Sequence, residues 1–218
     1  MNGFLEKFGR ISGLKINYSK TEVIWIGSKA GSDDTLCRNY SLEWGKNTFN
    51  LLGIQFSTNL SDITNNNMNP KIIKMKNILK QWRKRNLTPI GKITVLKTLV
   101  LPILNHIFIS LPTPSEQKLK EIDKMIFSFI WDDKPDRMKR DQIKRDYKDG
   151  GLKMVDIRTF IKSLKLSWIR RLLFEDKNWR NIILQYIDLE KICTCGPEYI
   201  IAIIKTIKNA FWINVLQA

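Results

Sequence analysis

The sequence predicts an α+β protein in which a small helix-plus-strands segment precedes a mainly α-helical region. Three observations lead there. Apolar residues recur at helical spacing through residues 71–175, whereas strand-like alternation is confined to residues 14–56. The charge is divided at the same place: residues 1–70 carry 7 Lys or Arg against 6 Asp or Glu, and residues 71–218 carry 30 against 15. Between the two, Asn and Ser crowd residues 57–69 and Pro70 closes the stretch, a composition that favours turns over regular elements.

Taken in order, Phe4, Leu5, Phe8 and Ile11 have the spacing of one helix face, and Gly13 is a normal helix-ending residue. From Leu14 to Ile26 the pattern turns strand-like, with Ile16 and Tyr18 alternating against Asn17 and Ser19 and a run Val23-Ile24-Trp25-Ile26 ending at Gly27. A second extended segment, Phe49 to Phe56, is interrupted at Gly53, which suits a tight bend. Residues 71–86 place Ile72, Met75, Ile78, Leu79 and Trp82 on one helical stripe, with Lys76, Lys80, Arg83 and Lys84 expected opposite. Thr88-Pro89 is a cap and first-turn pair for a helix carrying Val95, Leu96, Leu99 and Val100, which Pro102 is expected to kink or end. Pro112 and Pro114 make a linker, and Ser115 caps a helix that buries Leu119, Ile122, Met125, Ile126 and Phe129 and stops between Trp131 and Pro135. Residues 134–149 read as a charged connector with seven Lys or Arg, punctuated by Gly150-Gly151. A long helix then runs from Asp156 to Phe174, burying Ile157, Phe160, Ile161, Leu164, Trp168 and Leu172. The expected division is residues 1–60, a linker at 61–70, a helical domain at 71–175 and a helical extension at 176–218, whose abrupt end reads as a truncation.

At 218 residues and 43% apolar content the chain can bury a core. A net charge of +16 implies a polyanionic partner, with RNA, DNA or an RNA–DNA duplex first among them. Three cysteines, Cys37, Cys193 and Cys195, cannot form a disulfide framework for this length, and the N-terminus has no signal-peptide pattern, so a reducing intracellular setting, nucleus or cytoplasm, is expected. The longest apolar stretch, Ile93 to Leu111, is broken by Lys97, Pro102, Asn105 and His106, and a membrane is not expected as a partner.

Few residues qualify for chemistry. Two-metal nucleotidyl transfer needs carboxylates held together, often as adjacent aspartates in a tight turn between apolar strands. Asp33-Asp34 lies in a polar loop, and Asp132-Asp133 sits at the end of an amphipathic helix among Lys134, Arg137 and Lys139, where a solvated helix terminus is the plainer reading. Cys193-Thr194-Cys195 lacks the second ligand pair of a four-ligand zinc site, His106 is a lone histidine on an apolar stretch, and no phosphate-cradling Gly loop is present. No metal site is expected. Most informative is the run Lys71, Lys74, Lys76, Lys80, Arg83, Lys84 and Arg85, seven cations with no acid among them. Exposed helix faces that are merely solvated usually alternate sign, so this run is read as a phosphate-contacting surface.

The order of short motifs adds a family resemblance. Phe8-Gly9-Arg10-Ile11-Ser12-Gly13-Leu14-Lys15-Ile16-Asn17, followed by Ser19-Lys20-Thr21-Glu22, resembles the segment after the catalytic aspartates in reverse transcriptases of non-LTR (LINE-type) retrotransposons. Phe49-Asn50-Leu51-Leu52-Gly53-Ile54 is similar to the family's next element, the palm hairpin that supports the primer end, which makes Leu52, Gly53 and Ile54 primer-grip-like. Pro89-Ile90-Gly91-Lys92-Ile93-Thr94-Val95-Leu96-Lys97, then Phe127-Ser128-Phe129-Ile130-Trp131, then Gly150-Gly151-Leu152 occur in the order of the family's thumb region. The resemblance spans residues 3–175. It implies a palm edge over 1–60 and a helical thumb over 71–175 that packs on the template–primer duplex. It also implies that Lys20, or else Lys15, occupies the position of the palm lysine proposed to protonate the leaving pyrophosphate, a role suited to a cation. The metal-binding aspartates of the family, in an aromatic-Ala-Asp-Asp turn and an earlier strand, would precede residue 4. They are not among these residues, nor are the fingers, most of the palm and any endonuclease domain. The resemblance implies Mg²⁺ for the full-length enzyme and no cofactor held by this chain. The expectation is therefore a fragment of an RNA-directed DNA polymerase that binds template–primer without synthesis. The alternatives are a stand-alone basic nucleic-acid-binding module and a non-functional retrotransposon remnant.

Overall fold

The computed structural model describes residues 2–15, 17, 20–29, 48–59 and 62–218. The fold is α+β, with helices dominating and a single two-stranded sheet among the described residues. The chain divides into two compact units, Met1–Ile63 and Thr64–Ala218.

In the first unit, α1 (Asn2–Ser12) ends as its glycine dictates: Gly13 takes φ 72° and its N–H donates to Gly9 O at 2.9 Å. The strand expected over Leu14–Ile26 is not formed by the described residues of that stretch, which hold only an isolated bridge at Glu22 and a tight turn at Lys20. The reason is local. Lys20 N–H and the Thr21 hydroxyl both donate to Asn17 O, at 3.1 and 2.8 Å, closing a turn in competition with a ladder. Ile16, Tyr18 and Ser19, from the same predicted strand, lie outside the described residues, as do Asp33-Asp34 and Cys37.

The bend expected at Gly53 is a hairpin turn. β1 (Thr48–Leu51) pairs antiparallel with β2 (Ile54–Ser57), with Phe49 opposite Phe56 and Leu51 opposite Ile54. Leu52 and Gly53 have φ 50° and 78°, the paired positive values of the two-residue turn whose twist matches that of the strands. The rings of Phe49 and Phe56 stack with centroids 5.3 Å apart, a cross-strand contact of the kind that stabilises small sheets.

The boundary between the units falls at the first residue of α2 (Ile63–Arg83), which corrects the expected 61–70 linker: all but its first residues are helix, and Pro70 lies inside. Met68, Ile72, Met75 and Leu79 are buried at helical spacing with Asn67 buried beside them, so a stripe that begins in the Asn-rich segment outweighs its poor helix propensity. α3 (Pro89–Val95) starts as predicted, the Thr88 hydroxyl accepting from Gly91 N–H with Pro89 in the first turn. Pro102 does not end the helix. A proline ring crowds the carbonyl one turn back, and here the backbone widens into a π turn at Leu96–Val100, the Leu101 N–H donating to Leu96 O, before α4 (Leu101–Ser110) continues. By length and composition Pro89–Ser110 is apolar enough to cross a bilayer; in this fold Leu96, Val100, Leu104, Ile107 and Phe108 are buried, as in a core helix.

α5 (Glu116–Trp131) is capped by Ser115 and ends at Asp132 and Asp133, both left-handed at φ 55° and 60°. Their N–H groups return to Ser128 O, the second at 2.9 Å. The charged connector contains α6 (Arg140–Lys144) and a 3-10 turn, Tyr147–Asp149. Gly150 is left-handed at φ 72°, and at Gly151 a Cβ would overlap the Arg145 carbonyl. α7 (Ile157–Phe174), capped by Asp156, packs against α4, α5 and α10 (Ala210–Leu216). Between them come α8 (Asn178–Leu184) and α9 (Leu189–Ile204), the latter kinked at Gly196-Pro197. Trp168 of α7 makes edge contacts with Trp179, Phe211 and Trp212, which fastens residues 176–218 to the helical body.

Candidate nucleic-acid interface

The seven cations of residues 71–85 divide by where α2 turns them. At 3.6 residues per turn, Lys76, Lys80 and Arg83 share one flank of the buried stripe and Lys71 and Lys74 the other. The first flank meets α5. Lys76 Nζ lies 3.1 Å from Glu121 Oε1, and the Arg83 guanidinium pairs with the Asp133 carboxylate and donates to Ser128 Oγ at 2.6 Å. The Lys76 ammonium holds the Glu121 carboxyl below its ordinary range, and the Ser128 hydroxyl with Arg83 does the same for Asp133. The sequence reading of seven unpaired cations is corrected at these two, because their acids come from another helix, 45 and 50 residues on. Lys71, Lys74, Lys80, Lys84 and Arg85 make no ion pair among the described residues; Arg85 lies 4.2 Å over the Trp82 ring.

Asp132 and Asp133, weighed above as metal ligands, are helix-joining residues. Asp133 is engaged by Arg83, and Asp132 Oδ1 lies 2.5 Å from Nζ of Lys92, a side chain only 4% exposed that also donates to Ile130 O at 3.3 Å. The pair thus ties the end of α5 to α2 and α3. No group of three or more potential metal ligands occurs among the described residues, and Cys193 and Cys195 are free and exposed. His106 is exposed on α4. Lys15 and Lys20 are exposed and make no ion pair among the described residues. Leu52 and Gly53 form the exposed hairpin tip, and Ile54 is buried.

The same division of cations extends over the second unit. Among the described residues, ion pairs engage eleven of the fifteen acids of residues 71–218 but only ten of the thirty cations. Each pair cancels charge of both signs, so the surplus lies almost wholly in unpaired cations, twenty against four unpaired acids among the described residues. It is also concentrated: residues 71–175 carry 25 basic and 11 acidic side chains, residues 176–218 carry 5 and 4.

Two buried lysines escaped the sequence reading. Besides Lys92, Lys165 of α7 is 1% exposed, donates to Leu111 O and lies 4.2 Å over the Phe211 ring. With Trp168 Nε1, which donates to Ile109 O at 2.8 Å, it satisfies carbonyls left open at the end of α4. Burial pushes the Lys165 ammonium down to about 8. The signal was available, since 157, 161, 165 and 172 form one helical stripe with lysine in an apolar position. No known protein-family model matches the chain.

Proposed function

We propose that this chain is the palm-edge and thumb portion of a LINE-type RNA-directed DNA polymerase, holding template–primer duplex without carrying out synthesis. One observation carries the binding half of this reading: a helical unit whose acids are mostly consumed in ion pairs while Lys74, Lys80 and Lys84 stay exposed and, with half-buried Lys71, unpaired among the described residues. Cations so placed release counterions when they meet phosphates, the main source of duplex affinity. The polymerase half rests on the ordered motifs and on the hairpin at Leu51–Ile54, a small, stacked element with the form expected of a primer support. Mg²⁺ belongs, on this reading, to the aspartates of the full-length enzyme, and Lys20 or Lys15 would act only beside them.

Affinity for an RNA–DNA duplex should fall steeply with salt. Replacing Lys71, Lys74, Lys80 and Lys84 together by Ala should flatten the log–log salt slope by up to about 3.6 units, while Lys76→Ala changes it less because Glu121 already competes for that ammonium. An unchanged slope in the fourfold variant would remove α2 as the phosphate surface. Primer extension by the purified chain with Mg²⁺ should give no product, and clear extension would refute the assignment of synthesis to residues outside this chain.

A further inference from the structure

Between the N-terminal turn of α5, the outer face of α7 and the end of α10 lies a cavity of about 290 Å³. Its walls combine apolar side chains, Leu119 and Ile161, with an unusual share of donors: Lys162, Lys165, Asn214 and the Arg158 guanidinium. Asn214 Oδ1 accepts from Thr113 N–H at 2.8 Å, which fixes the amide and turns its NH₂ away from that bond. Lys162 and Lys165 stand three residues apart on one helix and both line the cavity. Neither makes an ion pair among the described residues, and Lys165 reaches only a neutral carbonyl and a ring. Glu116, which lines the cavity together with Gln217 and Ala218, is taken up by Arg158, 2.5 Å away, and Arg158 also holds Asp123 at 2.5 Å. A buried ammonium with no counter-charge is costly, and an anion in the adjoining space would supply one.

We propose that this cavity binds a small organic anion, a carboxylate or phosphate monoester on a compact apolar body, with Lys162, Lys165 and Asn214 around the anionic head and Leu119 and Ile161 against the body. The volume suits a single-ring molecule, and the apolar wall favours it over an inorganic ion. The site is separate from the duplex surface proposed for α2, and its test uses protein free of nucleic acid.

Benzoate and phenyl phosphate are the probes, benzyl alcohol the neutral control, and the Lys165 Nζ resonance followed by NMR across pH the readout. At least one anion should bind saturably at millimolar concentration or tighter and raise the pH at which Lys165 titrates, because an anion favours the charged amine. The benzoate and phenyl phosphate arms tell which head group the site prefers. Lys162→Ala, at an exposed position, should weaken binding at least about tenfold, the loss of one charge-assisted hydrogen bond. Lys165→Met should remove it. Three results would overturn the site: no saturation by either anion, equal binding of benzyl alcohol, or wild-type affinity in Lys162→Ala. Because the last variant leaves the core intact, the outcome does not hang on how Lys165→Met folds.

Discussion

Lys165 occupies a position that the packing of α7 would give to a hydrocarbon. Its ammonium finds Leu111 O and the face of Phe211, yet desolvation still lowers it to about 8 from a usual lysine value near 10.5. A lysine depressed in the folded state binds fewer protons there than in the unfolded chain between those two values. Stability from this group therefore rises with pH across that window, and the burial penalty is fully present below about pH 8. Lys165→Met keeps the length and removes the penalty, so it should raise the urea midpoint at pH 7, and its advantage should shrink by pH 10. A pH-independent difference between the two proteins would contradict the burial argument. At the hairpin tip a second single-residue effect follows from φ 50° at Leu52, a left-handed conformation that costs a branched-chain residue roughly 1 kcal/mol. Leu52→Asn should recover part of that, read as greater hydrogen-exchange protection across the Phe49–Phe56 pair, with no gain in protection speaking against the turn assignment.

Among the elements, those governed by local rules were readable from the sequence, and those governed by distant partners were not. Thr88, Pro89, Ser115 and Asp156 begin their helices as capping chemistry requires, and Gly13 ends α1. The stretch 61–70 misled because Asn and Pro are poor helix formers, whereas burial of the stripe that starts at Met68 and continues through Ile72 outweighs them. Of the two outcomes expected at Pro102, ending the helix does not occur, and the remedy, a π turn, is a backbone adjustment that leaves no trace in composition. The candidate interface was half visible. Its cations are plain in the sequence, but only the fold brings Glu121 and Asp133 to Lys76 and Arg83 and so separates joining residues from available ones. At the end of the connector the geometry is demanding, since Gly151 leaves no room for a side chain beside the Arg145 carbonyl. Gly151→Ala should destabilise the second unit by about 1–3 kcal/mol in chemical unfolding, and a neutral result would mean that the backbone there yields freely.

For the molecule as a whole, the arrangement of charge is the feature that ties fold to function. Most acids of the second unit are paired, so the unpaired charge there is nearly all cationic among the described residues. Joints such as Arg83–Asp133 and Lys92–Asp132 set α2 and α3 against α5. The C-terminal helices differ. Residues 176–218 are nearly balanced in charge and join the body through the Trp168, Trp179 and Trp212 contacts, so their contribution is mechanical on this reading. That difference makes a spatial prediction. Hydrogen exchange with and without an RNA–DNA duplex should show slowing in α2 and across α5 and the connector, where unpaired cations gather, and little change in α8, α9 and α10. The effect in α2 should fade as salt rises, following counterion release. If protection instead fell mainly on residues 176–218, or persisted unchanged at high salt, the contact would be one of bases with aromatic and apolar surface, and the electrostatic placement of the duplex on α2 would be wrong.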